Sequence, residues 1–223
     1  MITITIPTTG RPQRLYDCLK SIADEPDIEI KIGCRNIGVD IPLAVLRKCE
    51  PFNKLNISMS ASDLSIIEIQ NYLAMTASLK SDILPIADDV IFQPGAISAA
   101  RKAMSEEFPD YNGIIGFNII NLPKGQASLY AFMLIGRKFF SEHLNRTIFY
   151  PEYKHFYADI ELGEAAEKIG KFYFCEEARV IHYHPVAGYP QDETYRRNRQ
   201  SKWAHDNKLY QSRAEKFNAN LFL

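Results

Sequence analysis

The sequence predicts an α/β fold with a doubly wound, mostly parallel sheet, and three observations carry that reading. Strand-like and helix-like segments alternate through the first half of the chain. One of the strands, Ile83 to Ile86, runs into two adjacent carboxylates, Asp88 and Asp89, at the end where open α/β sheets bind ligands. The 223 residues are 46% hydrophobic and 12% aromatic, enough for one sizeable core and a small appendage.

Taken in order, Ile2 to Ile6 alternates isoleucine with threonine as a strand does, and Pro7 to Pro12 reads as a turn. A helix from about Gln13 to Ala23 sets Leu15, Leu19 and Ile22 on one face. Ile28 to Cys34 is a second strand, Pro42 to Cys49 a short helix and Leu55 to Met59 a third strand. Ile66, Ile69, Leu73 and Ala77 recur at helical spacing between Ser65 and Leu79, before the Ile83–Ile86 strand. Phe92-Gln93-Pro94-Gly95 is a turn signal, followed by a helix over about Gly95–Glu107. Tyr111–Ile120 and Ser128–Ile135 read as strands joined by a polar loop, Asn121–Gln126. Gly136–His143 is a turn and short helix, and Asp159–Ile169 a helix closed by Gly170. Phe172–Phe174 and Arg179–Tyr183 read as two strands. The composition turns polar and basic after Pro190, which divides the chain into a domain over 1–190 and a helical basic extension over 191–223.

A net charge of −1 gives no global field for nucleic acid or an anionic membrane. Cys18, Cys34, Cys49 and Cys175 have no CxxC spacing, which argues against a zinc knuckle or disulfide scaffold and fits a reducing compartment. The first strand is too short for a signal sequence, and no stretch approaches the ~18 apolar residues of a membrane span. The expectation is a soluble, cytoplasmic protein.

Two adjacent carboxylates repel, and a cation keeps them together most easily. Hard oxygen donors of this kind suit Mg²⁺ or Mn²⁺, ions that usually bring a phosphate with them. The plainer reading is that the pair caps a turn before Pro94. A second acidic site, Asp159-Ile160-Glu161, opens the helix at Asp159, and Asp159 is either functional or only an N-cap. His182 and His184, two apart in an extended segment, face one side.

The order Ile6-Pro7-Thr8, an apolar strand into Asp88-Asp89-Val90, Asp159-Ile160-Glu161-Leu162 and Val180-Ile181-His182 resembles the family 2 glycosyltransferases of the GT-A fold. Asn71 in the helix before the acidic strand, and Gly170-Lys171-Phe172 before Cys175-Glu176-Glu177-Ala178, agree with that family. The resemblance covers roughly residues 1–188. It implies a Rossmann-like GT-A domain that moves a sugar from a nucleoside diphosphate sugar to an acceptor hydroxyl, with Mn²⁺ or Mg²⁺. By position, Asp89 matches the metal-binding carboxylate, Asp88 the residue near the donor ribose or the metal's waters, and His182 or His184 the late histidine of the metal shell. Asp159 matches the catalytic base, which acts alone and so implies inversion. Pro7, Thr8, Thr9 and Arg11 match the segment that packs on the nucleotide, and Asn71, at the family's asparagine, is counted with them among the donor-binding residues.

Three positions depart from the family pattern. Ala87 and Ala158 stand where many members have acidic residues, and Arg35-Asn36 follows strand two where an aspartate usually reads the base. A UDP-sugar is the first expectation for the donor, with the base left open; Asp40 or Asp63 are candidates to replace the missing aspartate. The rival readings are a nucleotidyltransferase, disfavoured by the single glycine in Thr8-Thr9-Gly10-Arg11-Pro12, and a non-catalytic GT-A-like binding module. Between 194 and 216, seven basic residues face Asp206 and Glu215, a local balance of +5 with Trp203 and Tyr210 among them. That segment reads as a solvated helix packed through Trp203, Tyr210 and Phe217, as a clamp for the donor diphosphate, or as a lesser nucleic-acid contact. The acceptor is not legible.

Overall fold

The computed structural model describes residues 1–9, 11–34, 55–59, 64–123 and 129–214. The helix expected at Pro42–Cys49, the residues Arg35, Asn36, Asp40 and Asp63, and the tail from Glu215 lie outside these. The elements are β1 (Ile2–Thr8), α1 (Pro12–Ser21), β2 (Ile28–Cys34), β3 (Leu55–Met59), α2 (Ile66–Met75), β4 (Asp82–Pro85) and β5 (Val90–Phe92). They continue with α3 (Ala96–Glu107), β6 (Ile114–Ile119), β7 (Met133–Ile135), α4 (Arg137–Glu142), α5 (Ala158–Lys168), β8 (Phe172–His182) and α6 (Glu193–Ala214).

The strands form one sheet in the order β3-β2-β1-β4-β7-β6-β8-β5. β1 pairs in parallel with β2 and β4, β2 with β3, and β6 with β8, whereas β7 and β5 run antiparallel to their neighbours. Leu15, Leu19, Ile97 and Met104 of α1 and α3 cover one face, and Ile67, Phe139 and Leu162 of α2, α4 and α5 cover the other. With helices on both faces, all seven residues of β1 are buried, threonines included. The buried hydroxyl of Thr5 donates to Gln70 Oε1 at 2.6 Å, while Gln70 Nε2 donates to the carbonyls of Thr5 and Ile86, so the polar groups of this central strand are satisfied. Helix α2 starts on a reciprocal capping box between Ser65 and Glu68.

Three sequence expectations change. Val90 and Ile91, assigned to no element, and Phe92, read as the start of a turn, form β5 and pair antiparallel with the end of β8, Val90 opposite His182. The two strands expected at 172–174 and 179–183 are one strand, whose register against β6 jumps from Phe117↔Cys175 to Asn118↔Arg179, a bulge that short-range patterning does not reveal. The strand expected over 128–135 is reduced to Met133–Ile135. These differences matter because β5 and β8 build the site.

Candidate active site

β1 and β4 lie side by side and parallel, so their carboxyl ends open onto one place, the position at which α/β sheets bind ligands. Asp88 and Asp89 occupy the turn between β4 and β5 and are buried. Thr8, the last residue of β1, donates its hydroxyl to Asp88 Oδ2 at 2.6 Å. Arg11, at the entrance to α1, forms ion pairs with Asp88 and with Asp89, the latter at 2.6 Å, and reaches Asp192 at 3.5 Å. The carboxylates thus sit in a turn and share one guanidinium.

The two carboxyls are pushed apart electrostatically. Burial raises Asp88 above the usual carboxylate range, against the pull of Arg11. Asp89 is buried too, but His182 and Arg11 more than offset that cost and hold it below the usual range. The pairing of β5 with β8 brings His182 Nε2 to 3.3 Å from Asp89 Oδ1. Asn121 fixes the backbone there, accepting from His182 N at 3.0 Å and donating to His182 O at 2.9 Å. His184 stacks on His182 with ring centroids 4.9 Å apart. Its Nδ1 accepts from Val186 N, and burial lowers its pKa to about 4, so the ring is neutral with its proton on Nε2.

Asp159 lies in the first turn of α5, half-buried, and burial raises its pKa to about 6 against the backbone N–H groups of Asp159 and Ile160. The segment before it is tightly held. Asp206 of α6, fully buried, accepts from the backbone N–H groups of Lys154, His155 and Phe156 at 2.9, 2.8 and 2.8 Å. Tyr157 takes a left-handed backbone, φ 65°, to turn the chain into α5. Arg213 of α6 binds Glu161 through Nε and Nη2, and Tyr153 donates to the same carboxylate at 2.5 Å. Tyr210 stacks on Tyr157 and donates to Glu164 at 2.8 Å. The basic helix is therefore fastened to the loop that presents Asp159.

A cavity of about 460 Å³ joins these groups. Pro7, Arg11, Asp89, His182 and His184 line it together with His155, Asp159 and, from α6, Tyr195, Asn198, Arg199 and Trp203. Of the other expected residues, Thr8 and Asp88 stand just behind that lining, and Thr9 is not part of it. Asn71 is not itself in the lining: its amide donates to the O of Phe149, a lining residue, at 2.8 Å and accepts from Phe149 N at 2.9 Å. Both hydrogen-bonding ends are committed to a loop backbone. Sequence reasoning missed Asn121, His155, Asn198 and Asp206. The spacing of Tyr195, Arg199 and Trp203 at intervals of four does mark one helical face, whereas nothing local marks Asn121 or Asp206.

Asp89 Oδ1 is buried with no hydrogen-bond partner among the described residues, and its 3.3 Å spacing from His182 Nε2 is close to the ~3 Å between adjacent ligands of an octahedral Mg²⁺- or Mn²⁺-sized ion. These two side chains fit a divalent cation. His184 fits less well, since a metal on Nε2 would leave a protonated Nδ1 facing the Val186 N–H. Among the described residues no group of three His, Cys, Asp or Glu side chains has metal-site geometry, in keeping with ions that take few protein ligands and complete their shell with water and phosphate.

Comparison with solved structures identifies the architecture. TarS from S. aureus superposes with a TM-score of 0.61 at 13% identity, over 78% of this chain and 57% of that one. The mannosyltransferase PcManGT from Pyrobaculum calidifontis, solved with GDP-Man and Mn²⁺, gives 0.62 at 11% identity, over 81% and 56%. The chain has the GT-A fold. GalNAc-T7, solved with UDP, GalNAc and Mn²⁺, gives 0.62 at 13% identity, over 96% and 51%. A 4-diphosphocytidyl-2C-methyl-D-erythritol synthase from Anaerococcus prevotii shares the core less closely, with a TM-score of 0.53 at 12% identity over 79% of this chain and 86% of that one. The chain thus spans between about half and three-fifths of TarS, PcManGT and GalNAc-T7. No protein-family model matches it, and no curated protein matches it in sequence. Within the GT-A frame, the acid pair follows the central strand β4 and His182 ends β8, both at the carboxyl side of the sheet. Among the described residues no helix is long and apolar enough to cross a membrane.

Proposed function

We propose that this GT-A chain is a glycosyltransferase that moves a sugar from a nucleoside diphosphate sugar to an acceptor hydroxyl with inversion. One observation carries the reading: a single cavity holds the Asp89–His182 pair and a carboxyl of pKa about 6, Asp159. The ligands of the similar solved structures, UDP-GlcNAc, GDP-Man and UDP, support a nucleotide-sugar donor.

Asp89 and His182 would hold the divalent ion, Mn²⁺ or Mg²⁺. When bound, it supplies positive charge against the charge that builds on the departing diphosphate. The chain's own groups do the rest. Arg11 keeps Asp88 and Asp89 together at the mouth of β1 and adds a cation on the diphosphate side. Asn121 fixes the backbone of His182, so the imidazole is preorganised. Asp159 accepts the proton of the acceptor hydroxyl as that oxygen bonds to the anomeric carbon and the carbon–phosphate oxygen bond breaks. A base with pKa about 6 is ionised at pH 7 yet basic enough to work. Among the described residues the cavity lining holds two carboxylates, Asp159 and the Asp89 that is paired with Arg11 and His182, which supports a single displacement and hence inversion. Asp206, through three backbone N–H groups, holds the segment that carries this base.

Thermal stability against nucleoside diphosphates, nucleotide sugars and nucleoside triphosphates, each with and without Mn²⁺, tests the reading. A ligand at 100 times its dissociation constant adds about 2.7 kcal/mol. The expected outcome is a Mn²⁺-dependent shift with one nucleotide sugar and its diphosphate, lost in Asp89→Asn and in His182→Ala. A shift with a triphosphate alone would point to nucleotidyl transfer. No shift at all would leave a non-catalytic module.

A further inference from the structure

Helix α6 crosses the cavity from one reacting group to the other. Tyr195 sets its ring edge-on to His184, with centroids 5.0 Å apart, at the acid-pair end. Asp206 grips the loop before Asp159 at the opposite end. Tyr195, Asn198, Arg199 and Trp203 lie between, all lining the cavity, and Tyr195 to Trp203 spans roughly 12 Å of helix axis.

Asn198, Arg199 and Trp203 bring an amide, a guanidinium and an indole to the cavity wall. Asn198 is only 7% exposed and lines the cavity. Its amide stands on the cavity wall, where it can donate to or accept from a polar ligand. Trp203 keeps 42% of its surface exposed on the same wall, which gives an apolar ring face beside polar groups. Arg199 donates to the hydroxyl of Tyr195 at 3.3 Å and, among the described residues, pairs with no carboxylate. The acidic groups nearest the far end, Asp88, Asp89 and Asp192, already share Arg11.

From this geometry we infer that the cavity face of α6 is the acceptor subsite, and that the acceptor is a sugar bearing an anionic substituent. The ring packs on Trp203, a hydroxyl meets the Asn198 amide, and a carboxylate or phosphate takes the Arg199 fork. The subsite rests on the transferase reading of the same cavity, with Asp159 facing the acceptor.

Trp203 is the only tryptophan of the chain, so its fluorescence reports the subsite directly. Wild type is titrated into the millimolar range with methyl glucuronide, glucose 6-phosphate, methyl glucoside, inorganic phosphate and UDP, with nucleotide-induced thermal shifts measured on the same samples. The expected result is a saturable change with one or both charged sugars, at least about tenfold tighter than with the neutral glycoside, the scale of one charge-assisted hydrogen bond. Which charged sugar acts separates carboxylate from phosphate. Arg199→Gln should reduce the charged sugars to the affinity of the neutral one, and Asn198→Ala should weaken all three sugars. The inference is overturned if no sugar changes the emission, if charged and neutral sugars bind alike, or if UDP or inorganic phosphate alone produces the change and displaces the sugars. A sugar response without any nucleotide shift would remove the transferase reading and leave the subsite; a nucleotide shift without a sugar response would do the reverse.

Discussion

Replacing Asp159 with asparagine separates two consequences of one burial. The carboxyl is raised from 3.8 to about 6, first by desolvation, with the backbone N–H groups of the helix start working against it. The folded protein therefore binds this proton more tightly than the unfolded chain, and wild-type stability falls as pH rises from about 4 to 6. Two pH units correspond to about 3 kcal/mol, and the half-buried, cavity-facing position reduces that to about 1–2 kcal/mol. Asparagine carries no charge to desolvate, so Asp159→Asn should gain on wild type across this window, by about 3–6 °C in Tm for a chain of this size. Melting curves of both proteins between pH 4 and 8 give the difference. Any fixed cost of the amide displaces it equally at every pH. Turnover should vanish in the variant while nucleotide affinity stays, and wild-type turnover should rise with pH through about 6. A Tm difference that stays constant or narrows as pH rises would refute the burial account of Asp159.

Two further outcomes follow from the same geometry. Arg11→Met leaves Asp88 and Asp89 without their cation, which should destabilise the fold by about 3–5 kcal/mol; Mn²⁺ should then raise its Tm more than that of wild type, and equal Mn²⁺ shifts would show that the ion does not visit the pair. Asp206→Asn must turn an NH₂ toward one of the three N–H groups now bound at 2.8–2.9 Å, costing about 2–3 kcal/mol. Steady-state kinetics should show a fall in kcat with the nucleotide Kd kept within about twofold, whereas a change in nucleotide affinity would place the residue on the donor side.

Much of the frame was legible because its signals are local. The Ile/Thr alternation of β1, the amphipathic face of α1, the apolar run into Asp88-Asp89 and the acidic start of α5 each depend on neighbours a few residues away. The candidate groups Asp89, His182 and Asp159 could be named in the same way, as carboxylates and imidazoles at element ends. The amide of Asn71 holds the Phe149 backbone, a partner no spacing rule reveals.

By itself the sequence determined most of the strands and helices, though not β5 or the continuity of β8, and where ionisable groups meet their ends, since periodicity and turn chemistry act over a turn or two of chain. Tertiary structure decided that β5 pairs with the end of β8 and so sets His182 against Asp89. It also decided that a basic helix becomes a cavity wall fastened by Asp206 and Arg213. The physical reason is the same in both cases. Each of these contacts joins groups far apart in sequence, and which buried donor finds which acceptor is settled only when the packed core brings them together.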